Sequence, residues 1–366
     1  MPIQLPSVGQ SLAALLAAAL VALISTPVVR SLAFRVGAVD VPKDSRRMHN
    51  HPIPRMGGLG IYLGFILSVL LFLPLTPELR GMLLGSTIIA VLGIFDDIYA
   101  LPALPKFFIQ IGAALVAVLG GNRIVFLSNP NIFSKELFWE LGWLSIPITV
   151  LWIVGITNAV NLIDGLDGLA DGVSTIAALT MLIIALLMGS MEMAVICAAL
   201  VGSCIGFIPY NRNPAKIFMG DTGATFLGFV LATVSVAGLF KLYAVISFVV
   251  PFIILGFPIF DTVSAFTRRI LKGQNPMKAD RSHTHHKLID MGMNQKQAVA
   301  TLYLVATVLG LCAVMIVSTG YMKVVLSVAA LAGTAYTVAR IARYPHDHPK
   351  QEPPADGEPA AEKEEE

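Results

Sequence analysis

Residues 168–208 read GLADGVSTIAALTMLIIALLMGSMEMAVICAALVGSCIGFI. They hold two apolar runs, 168–188 and 190–208, parted by Gly189 and carrying only Asp171 and Glu192 as charges. A hydrocarbon core about 30 Å thick takes about 20 apolar residues of helix, so the pair reads as two successive membrane helices. Working outward, runs of the same kind lie near 143–160, 104–121, 80–95, 56–75 and 9–33, then near 222–240, 242–262, 297–317 and 320–341. The expectation is an all-α polytopic integral membrane protein with about eleven spans. The first run is followed, not preceded, by Arg30 and Arg35, which reads as an uncleaved span rather than a signal peptide. Composition agrees: 56% of the 366 residues are hydrophobic and 13% charged, about half the charge of a soluble domain. That excludes an ordinary soluble enzyme and a disordered chain alike. Cys197, Cys204 and Cys312 all lie in apolar runs, so no disulfide framework or CxxC metal site is available.

Eleven spans put the termini on opposite sides. Sorted by that parity, 20 of the 25 Lys and Arg fall on one side, and the other receives Arg80, Arg123, Lys135, Lys241 and Lys323. Positive residues collect in the cytoplasm, which predicts an outer N-terminus, a cytoplasmic C-terminus and a multi-pass protein of the cell membrane. All aspartates and all seven histidines sort to the same cytoplasmic side or the helix ends beside it, whereas Glu78, Glu136, Glu140 and Glu192 sort outside. Short carboxylates and imidazoles gathered beside basic residues suggest a metal and an anionic substrate on the cytoplasmic face. A net charge of +2 gives no argument for nucleic acid. The catalytic domain is expected to span 1–344, with 345–366, rich in Pro and Glu, as a disordered cytoplasmic tail.

The loop 34–56 gathers Arg46, Arg47, His49, His51 and Arg55 ahead of Gly57-Gly58. Arginine forks suit phosphate oxygens, and the glycines would let backbone approach a ligand; positive-inside bias alone would also produce such a loop. Asp96 and Asp97 end the third run, where carboxylates are expensive and functional by default. Lys106 and Gln110, a helical turn apart, are placed to supply charge and a hydrogen bond to that pair. In ITNAVNLIDGLDGLADG (156–172), Asn158, Asn161, Asp164, Asp167 and Asp171 recur at spacings of three and four, which sets several on one helical face, and Gly165 and Gly168 interrupt that helix and free backbone groups for a ligand. The alternate ligands and closing Glu of a calcium loop are missing. The DGxxAR pattern used by certain lipid phosphotransferases also fails, for want of its Arg and later aspartates.

In YNRNPAKIFMGDTGATFLG (210–228), Asp221 stands at a helix start, where backbone N–H groups favour phosphate. One carboxylate with substrate phosphates and waters is a usual way to hold Mg²⁺; a plain Asp N-cap is the simpler alternative. Asn211 lies at the head of this run, and Phe218 is placed to stack a base. Asp261 ends the ninth run. The last large loop places Arg281, His283, His285 and His286 together, with the lysines and arginines of 268–287 around them, and reads as a grip on phosphate oxygens rather than a zinc site.

Taken together, these residues resemble the superfamily of polyprenyl-phosphate N-acetylhexosamine-1-phosphate transferases, the MraY, WecA and TagO enzymes. The resemblance runs from about Asp40 to Met291 through the Asp96-Asp97 pair, NAVNLIDGLDGLA, NRNPAKIFMGDTG and the histidine loop, in that order. It implies transfer of a sugar 1-phosphate from a UDP-N-acetylhexosamine to undecaprenyl phosphate, with release of UMP, in the bilayer, with Mg²⁺ as cofactor or Mn²⁺ in its place. It implies Asp221, also catalytic, and Asn161 as metal ligands, and Asp96 and Asp97 as the catalytic pair that orients the prenyl phosphate and accepts its proton. Lys106 and Arg55 would offset phosphate charge, Asp164, Asp167 and Phe218 would take the uridine side, and Asn158 and Asn211 would also bind substrate. Arg281, His283, His285 and His286 would meet the phosphates.

The HTHH order of the histidine loop and eleven spans resemble the WecA and TagO branch more than the MraY enzymes. The expected donor is therefore UDP-N-acetylglucosamine (UDP-GlcNAc), starting a lipid-linked envelope glycan, with a phospho-N-acetylmuramoyl-pentapeptide transferase as the alternative. A homodimer is compatible with either. A secondary transporter is the reading from another class, but its sites lie near the midplane at repeat interfaces, and here every Asp maps to one membrane edge and no repeat is visible.

Overall fold

The computed structural model describes residues 7–41, 51–128, 138–239, 244–273 and 283–344. The tail from 345 and Arg46, Arg47, His49 and Arg281 therefore lie outside the described residues. Thirteen α-helices run through the described residues: α1 (Val8–Val36), α2 (Gly58–Phe72), α3 (Pro77–Tyr99), α4 (Ala103–Leu119), α5 (Ser145–Ile163), α6 (Leu169–Leu187), α7 (Met191–Asn211), α8 (Gly220–Val234, continued by a π-helical turn Ser235–Leu239), α9 (Ala244–Ile254), α10 (Gly256–Leu271), α11 (Thr284–Asp290), α12 (Gln295–Val317) and α13 (Gly320–Ala342). Eight are long and apolar enough to cross a membrane, and α2 and α4 are shorter apolar helices. The protein is thus an all-α multi-pass membrane protein. Two small antiparallel ribbons interrupt the helices: β1 (Val39–Asp40) with β2 (Ile53–Pro54), and β3 (Phe126–Ser128) with β4 (Phe138–Glu140).

Local sequence sets several helix ends. Ser7 and Gln10 form a capping box on α1, and Asn294 and Gln297 form one on α12. Thr76 caps α3 with Pro77 in its first turn, and Gly37 closes α1 at φ +77. The span expected over 242–262 is corrected: it breaks at Leu255 into α9 and α10, and α10 continues to Leu271, so Asp261 lies within a helix rather than at its end. Pro251, Gly256 and Pro258 bracket that break, and proline removes the N–H a continuous helix needs.

Helix α8 is the central post, with nearly every residue buried. Helices α3 and α5 flank it, α1 packs along α7 and α2, and α12 lies against α6. Where α2, α3 and α8 cross, backbone meets backbone: a Cβ on Gly58 would collide with Gly223, and one on Gly93 with Thr222. The N–H groups of Gly57 and Gly58 donate to the carbonyls of Phe218 and Met219 at 2.9 Å. The glycine pair expected to admit a ligand therefore admits a neighbouring helix instead. Chain direction then fixes which ends share a side. The last turns of α3, α5 and α7 and the first turns of α4, α6 and α8 meet at one end of the bundle, carrying Asp96, Asp97, Lys106, Asn158, Asn161 and Asp221. Glu78, Glu140 and Glu192 lie toward the opposite end.

Candidate active site

The adjacent Asp96 and Asp97 divide their work. Helix α8 has no capping side chain of its own, and Asp97 caps it from α3. Asp97 Oδ1 accepts from the Asp221 N–H (2.9 Å), and Oδ2 accepts from the Thr222 N–H (3.1 Å) and hydroxyl (2.6 Å). Its side chain is wholly buried, with Arg55 Nε 3.7 Å away. A buried carboxylate at a helix N-terminus meets both the orphan donors and the positive end of the dipole.

With the cap supplied from α3, Asp221 is left in the first turn of α8 with its side chain 21% exposed. Lys106 Nζ stands 3.2 Å from Asp221 Oδ2 and 2.7 Å from Asp96 Oδ2, so one ammonium bridges two carboxylates from different helices. Asp96 Oδ1 also accepts from the Leu101 N–H at 2.7 Å. Gln110 does not join that cluster; its Oε1 accepts from Asn158 Nδ2 at 2.7 Å, and Asn158 also donates to the Val154 carbonyl at 2.8 Å.

The interruption expected at Gly165 and Gly168 is present. Helix α5 stops at Ile163, residues 164–168 form a turn, and α6 begins at Leu169 with Asp171 turned into the bundle and fully buried. Asp164 is half-buried in the turn, and burial, then the charges of Asp221 and Asp97, push its carboxyl up to about 7. Asp167 Oδ2 accepts from Asn213 Nδ2 (2.9 Å) and the Ala215 N–H (3.1 Å). Asn211 is an internal strut: its Oδ1 accepts from the Gly168 N–H and its Nδ2 donates to the Ile217 carbonyl, both at 3.0 Å. Phe218 is half-buried, its N–H bonded to the Pro54 carbonyl at 2.9 Å.

The histidine loop reaches the same turn. Asp261 on α10, to which the sequence assigned no role, organises it. Asp261 Oδ2 lies 2.8 Å from His283 Nδ1, and Oδ1 accepts from the Thr284 N–H (2.7 Å) and hydroxyl (2.6 Å). The signal was present: an acidic residue inside an apolar run is a functional candidate by default. His283, His285 and His286 form a stack with centroid separations of 5.8 and 4.3 Å. The His285 imidazole rests against Gly165, where a Cβ would collide with it, so the DGLDG turn and the histidine helix α11 touch.

Burial, then the neighbouring His286, lowers His285 to about 4, which leaves it neutral at pH 7. The neutral form is favoured in the folded protein, so this stabilisation is present above about pH 6.5, the free-imidazole value, and fades as pH falls to about 4. Asp164 works oppositely over much of the same range, because its raised pKa favours the folded state less as pH rises from about 4 to 7. We expect His285→Gln to gain thermal stability relative to wild type as pH drops from about 6.5 to 4. Parallel unfolding curves for the two proteins across that range would contradict this.

Among the described residues no three His, Cys, Asp or Glu side chains are grouped as a closed metal cage. The donor set instead fits a cation held by one or two carboxylates and completed by substrate oxygens, as Mg²⁺ usually is. Asp221 at the rim, with Asp96 and Asp164 near it, offers that chemistry, and Lys106 and Arg55 supply fixed positive charge for an anion.

The sequence profile of glycosyl transferase family 4 matches residues 79–239, which spans α3 to the end of the central post and includes every carboxylate of the cluster. A protein of Bacillus subtilis (strain 168) named "Probable undecaprenyl-phosphate N-acetylglucosaminyl 1-phosphate transferase" is 45% identical over 300 residues, 82% of this chain and 83% of that protein. A "Decaprenyl-phosphate N-acetylglucosaminephosphotransferase" of Mycolicibacterium smegmatis is 35% identical over 317 residues, 79% of this chain and 78% of that protein. A "Phospho-N-acetylmuramoyl-pentapeptide-transferase" of Chlamydia muridarum is 43% identical over a shorter stretch, 204 residues, covering 50% of this chain and 61% of that protein.

Proposed function

Because the chain belongs to glycosyl transferase family 4, we propose that it transfers N-acetylglucosamine 1-phosphate from UDP-GlcNAc to undecaprenyl phosphate, releasing UMP. The observation that carries this reading is the Asp96–Lys106–Asp221 bridge at the head of α8, which sets carboxylates and a cation at one end of a membrane bundle. A prenyl tail stays in the bilayer, at about 0.8 kcal/mol per buried CH₂, so its phosphate can only be met at such an edge. The similarity to N-acetylglucosaminyl phosphotransferases extends over about four-fifths of the chain, against half for the pentapeptide transferase, and this favours the GlcNAc donor. A site on the cytoplasmic face of the inner membrane is the reading that the excess of Lys and Arg on one side of the expected spans supports.

In the reaction an oxygen of the prenyl phosphate attacks the sugar-bearing phosphorus, and the bridging oxygen leaves with UMP. A phosphate monoester has a second pKa of about 6, so the acceptor is already mostly a dianion at pH 7 and needs little base catalysis. The work for the protein is alignment and charge neutralisation. Lys106, held by Asp96, faces the acceptor phosphate, and Arg55 and the histidine helix meet the donor phosphates. Mg²⁺, held by Asp221 with Asn161 and the diphosphate, would supply positive charge to the departing UMP. One phosphoanhydride replaces another, so a single displacement near thermoneutral, reversed by UMP, is expected.

Purified protein given undecaprenyl phosphate, Mg²⁺ and either UDP-GlcNAc or UDP-N-acetylmuramoyl-pentapeptide tests this directly. Lipid-linked product from the first donor only is the expected result. Product from the second only would move the chain to the peptidoglycan branch. Label crossing a vesicle with no lipid-linked product would restore the transporter reading.

A further inference from the structure

The turn between α5 and α6 is gripped from a helix outside the segment that the family profile covers. Gly168, at φ +74, is held on both polar groups: its N–H donates to Asn211 Oδ1, and its carbonyl accepts from the hydroxyl of Tyr303 on α12. The Tyr303 ring occupies the place a Cβ on Gly172 would fill, so the phenol is socketed against α6. One residue before Gly168, Asp167 shares the Asn213 amide with α12. Asn213 Nδ2 donates to Asp167 Oδ2 at 2.9 Å and to Gln295 Oε1 at 2.6 Å. Only Met291–Asn294 separate α12 from α11, whose His285 rests on Gly165. One continuous stretch, 283–303, therefore meets the turn at residue 165, at 167 through Asn213, and at 168.

We propose that Tyr303 and Gln295 are positioning residues: α12 latches the 164–168 turn in register with the histidine helix, and so sets where the nucleotide half of the donor is held. This rests on the reading of the site as a sugar-nucleotide phosphotransferase. The acceptor side, built on Asp96 and Lys106, is carried by α3 and α4, so the latch governs the donor and leaves the lipid alone.

Tyr303→Phe removes one hydroxyl and keeps the ring in its socket; Gln295→Leu removes one acceptor at similar size. Each is expected to raise KM for UDP-GlcNAc about three- to tenfold, the worth of one net hydrogen bond. KM for undecaprenyl phosphate should be unchanged and kcat should stay within about twofold. In the ligand-free protein, the amides of 165–169 in Tyr303→Phe should exchange hydrogen about tenfold faster, with α3 and α8 unaffected. Local loss of protection together with a donor-only rise in KM supports the latch. Unchanged exchange at 165–169, or equal KM shifts for both substrates, overturns it. Faster local exchange in a protein whose wild type makes no product from UDP-GlcNAc supports the latch and overturns the proposed donor, so the two readings fail separately.

Discussion

Asp221→Asn is expected to lower turnover by on the order of 10³-fold while the protein stays folded, the scale of losing one preorganised electrostatic group in a reaction that is mostly charge neutralisation. The amide keeps the size of the side chain, and the cap on α8 belongs to Asp97, so the helix keeps its start. What goes is the negative charge at the rim. Lys106 then pairs with Asp96 alone, and the position best placed to hold a cation with the diphosphate is neutral. The measurement is UMP release per enzyme at saturating substrates, beside an unfolding curve in the same detergent. Turnover within tenfold of wild type would remove Asp221 from the reaction.

Asp97→Ala should do damage of a different kind. Three donors point at that carboxylate, two from the α8 backbone and one from Thr222, in a fully buried place. An unsatisfied buried donor costs about 1–3 kcal/mol, and Arg55 loses its partner as well, so a stability loss of roughly 3–5 kcal/mol is expected. Activity falls with it, because the head of α8 carries Asp221. Asp97→Asn keeps one acceptor oxygen and should fall between. The signature is that Asp97→Ala lowers the unfolding midpoint and Asp221→Asn does not. If the two variants unfold alike, the division of labour between the carboxylates is wrong.

That division shows what the sequence could and could not disclose. Apolar runs mark the helices because a bilayer demands about 20 such residues, and their ends were legible within several residues. The convergence of Asp96, Lys106 and Asp221 was legible too, since each lies at the end of a run on the same parity. Which of two adjacent aspartates caps a helix was not. Side chains one position apart on a helix point about 100° apart, and only the placement of α8 decides which meets it. Asn211, expected to bind substrate, is a strut whose partners Gly168 and Ile217 belong to two different turns, which no local pattern discloses. The break at Leu255 left a trace in Pro251, Gly256 and Pro258 that hydropathy averages away. The role of Asp261 depended on a partner 22 residues along that no local pattern names.

The cap on α8 also sets a clock. Asp97 and the Thr222 groups it binds are 125 residues apart in the chain. At a synthesis rate of about 5–20 residues per second, the end of α3 exists for roughly 6–25 s before the N–H groups that satisfy it are made. A bare carboxylate buried in apolar surroundings is costly for all of that interval, so the foot of α3 has reason to stay in water until α8 arrives. The carboxylate cluster then closes when the central post docks, before the histidine helix is made, and a nascent chain stopped before residue 220 should still show Asp97 to water-borne reagents.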